Sequence, residues 1–451
     1  MFDAKKILVI GAGISGVAAA LVLNGLGAKV TLNDSKSKEH FQSHLTILET
    51  AGVNLVFGRQ DEDLLRGIDY LVVSPGVPIG IPVIKAAREK GIVVMSEIEV
   101  AYRLSQADIL AVTGTNGKTT TTALLGEMMK TTGKEVFVGG NIGTALSELT
   151  VNSRAGDIVV AEVSSFQLEG VIDFCPRVAV LLNITPDHLD RHQTMANYQA
   201  MKERLFAQQT GADFAVLNYD DEKVRAIGAK LNSQVFYFSR RQKLSQGIFV
   251  ENGKIKISWQ GKKIVLCPVT ALKIPGNHNV ENALAAAGAA FLSGAQGENI
   301  CQILASFPGV EHRIELAAAI GGVAYYNDSK ATNPESAIKA LEAFSETIIL
   351  IAGGRDKNTD LTEFMTLAAQ KVTSLILLGE ASERFAQAAQ KQCVKNIQQV
   401  SSLDAALTLA QQTATPGSVV LLSPACASYD MFDNFEARGR EFKKLVANLK
   451  H

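Results

Sequence analysis

The stretch TGTNGKTT, residues 113–120, has the composition of a phosphate-binding loop. It follows an apolar run at residues 109–112 and precedes a stretch rich in threonine and leucine, which predicts the order strand, loop, helix. In such a loop, backbone N–H groups at the helix N-terminus hold phosphate oxygens, a lysine neutralises the outer phosphates and a hydroxyl binds Mg2+. Lys118 and Thr119 stand at these two positions. The stretch predicts ATP chemistry with a variant loop, because Val112 stands where G-x-x-x-x-G-K-[ST] has its first glycine.

Acidic residues and a histidine follow the next buried strands of this region. Glu162 ends one predicted strand, and Asp187, His188 and Asp190 follow the next one. A carboxylate at the end of a strand beside a phosphate loop is where a nucleotide enzyme holds Mg2+. Taken alone, Glu162 is equally typical of a helix cap and His188 of an ordinary loop histidine, so the pattern leaves both alternatives open.

The segment YQAMKERLF, residues 198–206, predicts an amphipathic helix. Met201, Leu205 and Phe206 share one apolar face, and Lys202 stands beside that face. A lysine in this position is usually a solvated surface residue. The pattern by itself therefore favours a surface lysine at position 202.

The segment PGNHNVENALAA, residues 275–286, predicts a helix start that carries several amide side chains. Asn279 and Asn282 are three residues apart and share a helix face. Amide groups donate and accept hydrogen bonds together, as the edge of an adenine base requires. The alternative is that Asn277 and Asn279 cap the helix. Both interpretations can hold for neighbouring residues.

The N-terminal segment ILVIGAGISG, residues 7–16, matches G-x-G-x-x-G directly after a buried strand. Asp34 ends a second apolar run about 20 residues on, and this spacing alone predicts NAD. A third apolar run, at residues 70–73, is followed by a Pro-Gly turn, where open α/β sheets bind ligands. The motif itself indicates only the binding of a pyrophosphate group. NAD and UDP-sugars both carry this group, so the motif does not distinguish the two ligands.

Composition excludes several classes of protein. The chain of 451 residues has a formal net charge of -1 and no basic run, so we expect no nucleic-acid partner. Apolar runs stay shorter than 18 residues and no signal peptide precedes the first strand, so we expect a cytoplasmic enzyme without membrane insertion. The five cysteines are far apart and form no CxxC pair, which favours neither a disulfide framework nor a zinc site.

Strands and helices alternate along most of the chain, which predicts an α/β fold. We expect three domains: a Rossmann-like N-terminal sheet at residues 1–96, a P-loop ATPase-type α/β domain at 97–306 and a Rossmann-like α/β domain at 307–451. The stretch GIFVENGKIKISWQGKKIVL alternates like an antiparallel meander within the central domain.

Several motifs together resemble the Mur ligase family over essentially the whole chain. They are GTNGKTT, GNIG, EVSSFQLE, NITPDHLDRH, GNHNVENALAA, HRIE, NDSKATNP and SPACASYDMFDNFEARG. The resemblance implies an ATP-dependent amide ligase of peptidoglycan precursor synthesis that is a monomer. The terminal motifs are most similar to the branch that adds D-glutamate to UDP-N-acetylmuramoyl-L-alanine through an acyl phosphate, releasing ADP and phosphate.

The resemblance also implies roles for individual residues. It implies that Lys118, Glu162, His188 and Lys202 support the chemistry, with Lys202 carrying a carbamate. Two Mg2+ ions are implied, one held by Thr119 and Glu162 and the other by His188 and Lys202. The implied ATP-binding residues are Gly114, Thr115, Asn116, Gly117, Lys118, Thr119, Thr120, Asn282, Arg313, Asp328 and Lys330. The implied D-glutamate-binding residues are Thr332, Lys357, Ser428 and Phe435.

The N-terminal domain, by the same resemblance, holds the uridine diphosphate end of the substrate, so we expect no NAD. The implied residues are Ile14, Ser15, Asp34, Ser35, Ser74, Pro75, Gly76 and Asn141. Three alternatives remain open: a different ligase of the same superfamily, a non-catalytic nucleotide-dependent protein with a phosphate loop, and an NAD-dependent dehydrogenase. The N-terminal UDP-type domain argues against a folate ligase, and the ordered second metal set argues against a non-catalytic protein.

Overall fold

The computed structural model describes residues 1–356 and 358–449, without the side chains of residues 42–44. Within these residues, the strands form three sheets of five, nine and six strands, each accompanied by helices. The predicted three-part α/β architecture is confirmed. Helices separate most of the parallel strands along the chain and cover the faces of the parallel sheets, whose central strands are buried.

The N-terminal sheet is entirely parallel and has the order β3-β2-β1-β4-β5. Its central strand β1 is apolar on both faces, and Ile7 to Ile10 are 0% exposed. The strand order reverses between β1 and β4, so the turns after these two strands meet at the edge where such sheets bind ligands. The strands are β1 (Lys6–Ile10), β2 (Lys29–Asp34), β3 (Asn54–Phe57), β4 (Tyr70–Val73) and β5 (Val93–Ser96).

The central sheet places β6 between β9 and β8, within the order β14-β13-β12-β11-β10-β9-β6-β8-β7. The predicted antiparallel meander is confirmed, because β12, β13 and β14 pair antiparallel. The strands are β6 (Asp108–Thr113), β7 (Val136–Gly140), β8 (Ile158–Glu162), β9 (Val178–Leu181), β10 (Phe214–Asn218), β11 (Gln234–Ser239), β12 (Gly247–Glu251), β13 (Lys254–Trp259) and β14 (Lys262–Pro268).

The C-terminal sheet has the order β15-β16-β20-β17-β18-β19 and is parallel except for the pair β15 and β16. Its apolar core lies on both faces of β17 and β20. The strands are β15 (Glu315–Ile320), β16 (Val323–Asn327), β17 (Ile348–Gly353), β18 (Val372–Leu378), β19 (Ile397–Gln399) and β20 (Val419–Leu422).

The described α-helices lie mostly between successive strands along the chain. They are α1 (Ile14–Gly25), α2 (Gln42–Thr50), α3 (Pro82–Glu89), α4 (Glu97–Leu104), α5 (Lys118–Lys130), α6 (Leu146–Thr150), α7 (Ser165–Leu168), α8 (Leu189–His192), α9 (Met195–Glu203), α10 (Glu222–Gly228), α11 (Asn277–Leu292), α12 (Gly297–Ser306), α13 (Pro334–Glu342), α14 (Thr362–Lys371), α15 (Ser382–Lys391), α16 (Leu403–Thr413) and α17 (Phe435–Ala447). Short 3-10 turns span Lys38–Phe41, Glu62–Leu65, Arg204–Phe206 and Val269–Ala271.

Two compact units contain these sheets. Met1–Ala271 and Glu281–Ala305 form the first unit, which holds the N-terminal and central sheets. Leu272–Val280 and the chain from Ser306 onward form the second unit. The predicted domain boundaries at residues 96 and 306 stay a prediction. None of the helices within residues 1–356 and 358–449 combines the length and apolarity that crossing a lipid bilayer requires.

Candidate nucleotide and acyl-transfer site

The phosphate-type loop lies between the end of β6 and the start of α5, as predicted. Gly117 stands at the N-cap of α5 with φ +86°, a backbone conformation that favours glycine. A Cβ at this position would meet the Oδ1 atom of Asn282 and the side chain of Leu182. Glycine is therefore required here by both conformation and space. The same contact places Asn282, which is 4% exposed, directly beside the loop.

Lys118 folds over this loop from the first turn of α5. Its Nζ atom donates to the carbonyl oxygens of Gly114 at 3.0 Å and Thr115 at 2.8 Å. Thr119 and Thr120 follow it in the helix and are 7% and 3% exposed. The loop thus combines a helix N-terminus and an ammonium group, the two features that attract phosphate oxygens.

Glu162 ends β8 and pairs with Val112 of β6, so its carboxylate lies at the same sheet edge as the loop. The side chain is 2% exposed, and its Oε1 atom accepts a hydrogen bond from Asn141 Nδ2 at 2.9 Å. Its Oε2 atom has no hydrogen-bond partner within the described part of the chain. A buried carboxylate oxygen without a donor is costly unless a cation compensates it, so this group fits a divalent cation.

No group of three or more His, Cys, Asp or Glu side chains that could hold a metal occurs among residues 1–356 and 358–449. Within these residues, Glu162 therefore lacks the acidic and imidazole neighbours that would complete a metal site. A hydroxyl, phosphate oxygens and a carbamate on a lysine are oxygen ligands outside that set, and Mg2+ accepts all three types. The donor set of this site fits Mg2+ only together with such oxygens.

Lys202 near the end of α9 is 1% exposed, so the surface-lysine alternative is wrong. Its Nζ atom donates to Gly114 O at 2.8 Å and lies 4.6 Å from the ring centroid of Tyr198. Burial, followed by the nearby charge of Lys118, lowers the pKa of Lys202 well below its usual value. Helical periodicity places position 202 beside the apolar face but cannot show that the phosphate loop covers it.

His188 lies at the N-cap of α8, in the left-handed region with φ +52°. Its side chain is 44% exposed, and its Nε2 atom lies 3.5 Å from Asp187 Oδ2. The ring packs at 4.7 Å against Phe166, which also stacks on His192. His192 is buried instead, with Nε2 3.0 Å from Ser165 Oγ, and burial lowers its pKa. Of these two histidines, His188 is therefore the one accessible to a ligand.

Two residues that contact the loop were missed by sequence reasoning. Tyr198 is 1% exposed, and its hydroxyl lies 3.1 Å from Thr115 Oγ1. Asn183 follows β9 and bonds the loop backbone through its side-chain amide. Asn183 belongs to the motif NITPDHLDRH, but nothing in the spacing of that motif indicates which residue reaches the loop. Tyr198 stands one helical turn before Lys202, a spacing that could have indicated a shared environment.

The N-terminal glycine-rich turn meets the turn after β4, as the strand order requires. Gly11 has φ +98°, and a Cβ there would lie 2.7 Å from Ser74 Cβ. The Asp34 carboxylate accepts hydrogen bonds from the backbone N–H groups of Ala12 and Lys36, both at 2.9 Å. The structure therefore brings the turn, Asp34 and Ser74 together at one sheet edge.

The other predicted UDP-substrate residues differ in exposure. Ile14 is 70% exposed at the start of α1, an uncommon position for a large apolar side chain. Ser15 and Pro75 are partly buried, and Ser35 and Gly76 are exposed. Asn141 belongs to the central sheet region, where it contacts Glu162 rather than the N-terminal turn. Their assignment to the substrate stays a prediction.

In the second unit, Asp328 is fully buried and satisfied by protein groups. Its carboxylate accepts hydrogen bonds from Ser423 Oγ at 2.8 Å and Ile314 N at 3.2 Å. Burial raises the pKa of Asp328 to about 6, although the positive charge of Arg313 opposes this shift. The carboxylate thus joins the segment after β16 to the residues after β20 and before β15. Its predicted contact with a ribose stays a prediction.

Lys330, Thr332 and Ser428, which are predicted to bind ATP or D-glutamate, lie in loops of this unit. Lys330 Nζ stands 5.3 Å from the ring centroid of Phe435, the first residue of α17. Ser428 is 2% exposed, whereas Thr332 is partly buried. The structure thus brings Lys330 and Phe435 together. Lys357 lies outside the described residues.

The comparisons with known proteins agree with this geometry. The model of the Mur ligase MurD-like N-terminal domain matches residues 5–96, the Mur ligase middle domain matches 112–290, and the Mur ligase glutamate ligase domain matches 312–426. The chain belongs to the Mur ligase family, an ATP-dependent class of ligases, so the predicted family and enzyme class are confirmed.

Similar relatives within the family carry one name. The chain is 46% identical over 448 residues to the UDP-N-acetylmuramoylalanine--D-glutamate ligase of Thermoanaerobacter pseudethanolicus, covering 99% of both chains. It is 47% identical over 449 residues to the ligase of the same name from Pelotomaculum thermopropionicum, covering 100% of this chain and 99% of that one.

Solved structures of the family share the fold at low sequence identity. One is a pseudomurein peptide ligase type C from Methanothermus fervidus, with 20% identity, a TM-score of 0.61 and coverage of 99% of this chain and 100% of that chain. Another is the UDP-N-acetylmuramate-alanine ligase MurC from Thermotoga maritima, with 21% identity, the same TM-score and the same coverage. These likenesses support the three-part architecture.

Proposed function

We propose that this enzyme joins D-glutamate to UDP-N-acetylmuramoyl-L-alanine and cleaves ATP to ADP and phosphate. The observation that carries the proposal is the 46% identity, over 99% of both chains, to a ligase named for this reaction. The arrangement of the partly buried Lys118 with the buried Lys202 and Glu162 at one sheet edge supports it, because activation of a carboxylate needs cations around an anionic centre.

The reaction requires activation, because a carboxylate resists nucleophilic attack and oxide is a poor leaving group. An oxygen of the L-alanine carboxylate attacks the γ-phosphorus of ATP, the bond to the β-phosphate oxygen breaks, and ADP leaves with an acyl phosphate formed. The amine of D-glutamate then attacks the acyl carbon, and the tetrahedral intermediate expels phosphate. The amine loses one proton, and an amide remains.

The phosphate loop supports the nucleotide half of this proposal. Lys118 neutralises the outer phosphates, and the N-terminus of α5 receives their oxygens. Asn282, which lies beside Gly117, is proposed to bind the adenine base through its amide group. Arg313, Asp328 and Lys330 are further residues that we propose to bind ATP.

Two Mg2+ ions are proposed, one held by Thr119 and Glu162 and the other by His188 and Lys202. When bound, Mg2+ neutralises phosphate charge and orients the reacting oxygens. The unpartnered Oε2 atom of Glu162 supports the first position. For the second, the buried amine of Lys202 attacks the carbon of CO2, loses a proton and becomes a carbamate anion, which can bind a cation.

The remaining groups are proposed to hold the two acceptor-side substrates. The N-terminal turn, with Ile14, Ser15, Asp34, Ser35, Ser74, Pro75 and Gly76, binds the uridine diphosphate portion without NAD. Asn141 extends this set toward Glu162, which it contacts. Thr332, Lys357, Ser428 and Phe435 receive D-glutamate. The proposed enzyme is a cytoplasmic monomer.

The test is phosphate release from ATP with Mg2+, UDP-N-acetylmuramoyl-L-alanine and several amino acids supplied one at a time. We expect release that requires both the UDP-substrate and D-glutamate. Release that requires the UDP-substrate and an amino acid other than D-glutamate would retain the ligase mechanism and overturn the proposed specificity. Absence of release with every pair, together with NAD in the purified protein, would favour the dehydrogenase alternative.

A further inference from the structure

The backbone N–H groups of Thr115 and Asn116 in the phosphate loop both bond the side chain of Asn183. Asn183 Oδ1 accepts hydrogen bonds from Thr115 N at 3.0 Å and from Asn116 N at 2.9 Å. Asn183 Nδ2 donates to Asn116 O at 3.1 Å. The backbone carbonyl of Asn183 accepts a further bond from Thr115 N at 3.1 Å. An amide oxygen accepts two hydrogen bonds, so the acceptor capacity of this side chain is used entirely by the loop.

These bonds also set the direction of a carbonyl that both site lysines use. The Gly114 carbonyl and the Thr115 N–H belong to one planar trans peptide, in which the two groups point in opposite directions. Fixing Thr115 N toward Asn183 therefore turns Gly114 O away from it. Lys118 Nζ and Lys202 Nζ both donate to Gly114 O, at 3.0 and 2.8 Å. The amide thus orients two lysine side chains through one peptide unit.

The sequence gives a reason for this external support. The loop reads G-x-x-G-K from Gly114 to Lys118, two residues shorter than G-x-x-x-x-G-K. Because the N–H groups of Thr115 and Asn116 point to Asn183, phosphate oxygens are left to the helix N-terminus and to Lys118. A shortened loop with fewer N–H groups for the phosphates depends more on the exact position of its lysine.

We propose that Asn183 is a positioning residue for ATP, which locks the shortened loop to the end of β9 and sets the orientation of Lys118. It acts through the loop and has no contact with the phosphates of its own. The same segment continues to His188, so the amide also ties the loop to the predicted second metal position. This inference rests on the proposed use of the loop for ATP.

The test is to compare Asn183→Ala with the wild-type enzyme by calorimetric ATP binding and by steady-state phosphate release. We expect about a tenfold increase in both the dissociation constant and the KM for ATP, because losing about 1.4 kcal/mol of positioning changes an equilibrium tenfold. The KM for the UDP-substrate should stay within about twofold of wild type. Unchanged ATP affinity in Asn183→Ala would overturn the proposal.

The matched control is Gln209→Ala. Gln209 is also a buried amide, 3% exposed. Its Nε2 atom donates to the carbonyls of Pro176, just before β9, and Phe214, the first residue of β10, whereas Asn183 lies after the end of β9. Its variant should lose stability while keeping the wild-type KM for ATP. An ATP KM that rises equally in both variants would show that Asn183 has a merely structural role.

A double-variant cycle with Lys118→Ala separates positioning from an independent effect. If Asn183 acts by orienting Lys118, its replacement should change ATP affinity by less than about twofold once Lys118 is absent. A full tenfold loss in that background would contradict the proposal. If Asn183→Ala does not fold, Asn183→Ser applies the same test, because its shorter hydroxyl cannot reach both N–H groups. If the enzyme did not use D-glutamate, the proposed function would be wrong. The role proposed for Asn183 would be unaffected, since these measurements concern ATP.

Discussion

Two glycine-rich turns of the first unit share the order strand, turn, helix but differ in the groups that surround them. Each follows a central parallel strand and opens into a helix, and each needs a glycine with positive φ, Gly11 at +98° and Gly117 at +86°. The N-terminal turn packs against Ser74 and is bonded by the Asp34 carboxylate. The central turn is bonded by an uncharged amide and carries Lys118. The two turns therefore differ in charge: a carboxylate bonds the first, and an ammonium group lies over the second.

This difference separates holding a phosphate from reacting at one. Backbone N–H groups and a helix N-terminus suffice to bind a pyrophosphate that stays intact. Transfer of a phosphoryl group moves charge onto several oxygens, and stabilising it needs cations in a site that excludes water. Lys118, Lys202 and Glu162 lie at or beside the central turn, which is why we propose that the chemistry takes place there. The glycine pattern alone could not have made this distinction.

The largest expected effect is that of Lys118→Ala. Losing the loop ammonium should reduce phosphate release by about a thousandfold or more, because the charge acts on the transferring group. Binding of the UDP-substrate, measured by calorimetry, should be retained. Lys130→Ala is the control, since Lys130 is an exposed lysine at the other end of the same helix, α5. Near-normal turnover in Lys118→Ala would show that the two turns do not differ as proposed.

A second large effect is expected for Lys202→Ala, at about a hundredfold loss of turnover if a carbamate ligand is missing. Short-chain carboxylic acids added to the assay should restore part of the activity, because they replace the missing anion. Lys223→Ala, a change at an exposed lysine, should have no effect. Full activity without Lys202 would contradict both the carbamate and the reason proposed for its burial.

Gly11→Ala, a change in the N-terminal turn, should affect stability and binding of the UDP-substrate rather than use of ATP. Strain at φ +98° and the contact with Ser74 should together lower the free energy of unfolding by about 3 kcal/mol. The KM for the UDP-substrate should rise about tenfold while the KM for ATP stays constant. Gly52→Ala is the control, because Gly52 has φ +79° with open space around it, so it carries the strain without the contact. An ATP KM that also rises would mean that the two turns are not independent.

Local features of the fold could be predicted from the sequence, whereas contacts between distant segments could not. The order strand, loop, helix and the antiparallel meander were readable because hydrophobic periodicity is a local signal. The burial of Lys202 and the role of Asn183 were not, because both depend on segments more than 65 residues away in sequence. Asp328 illustrates a further limit: the motif marks it as polar, whereas the fold buries it and satisfies it with Ser423 and Ile314.

The smallest expected effect concerns Asp34→Asn, which tests what the acidic residue does at the N-terminal turn. The carboxylate accepts from Ala12 N and Lys36 N, one with each oxygen. An asparagine amide keeps only one of the two oxygens and has an NH2 group in place of the other. The backbone N–H group that faced the replaced oxygen loses its partner, at a cost of about 1 kcal/mol. If Asp34 positions the turn, the KM for the UDP-substrate should rise about threefold to fivefold.

The sign of this change carries the argument, because removing a negative charge beside a pyrophosphate would by itself strengthen anion binding. Asp61→Asn is the matched control, since Asp61 is an exposed acid of the same region that accepts a bond from Asp63 N. A KM that falls in Asp34→Asn and stays constant in Asp61→Asn would mean that the carboxylate repels the ligand rather than shaping its site. The N-terminal turn would then resemble the central one in depending on charge, and the proposed contrast between them would fail.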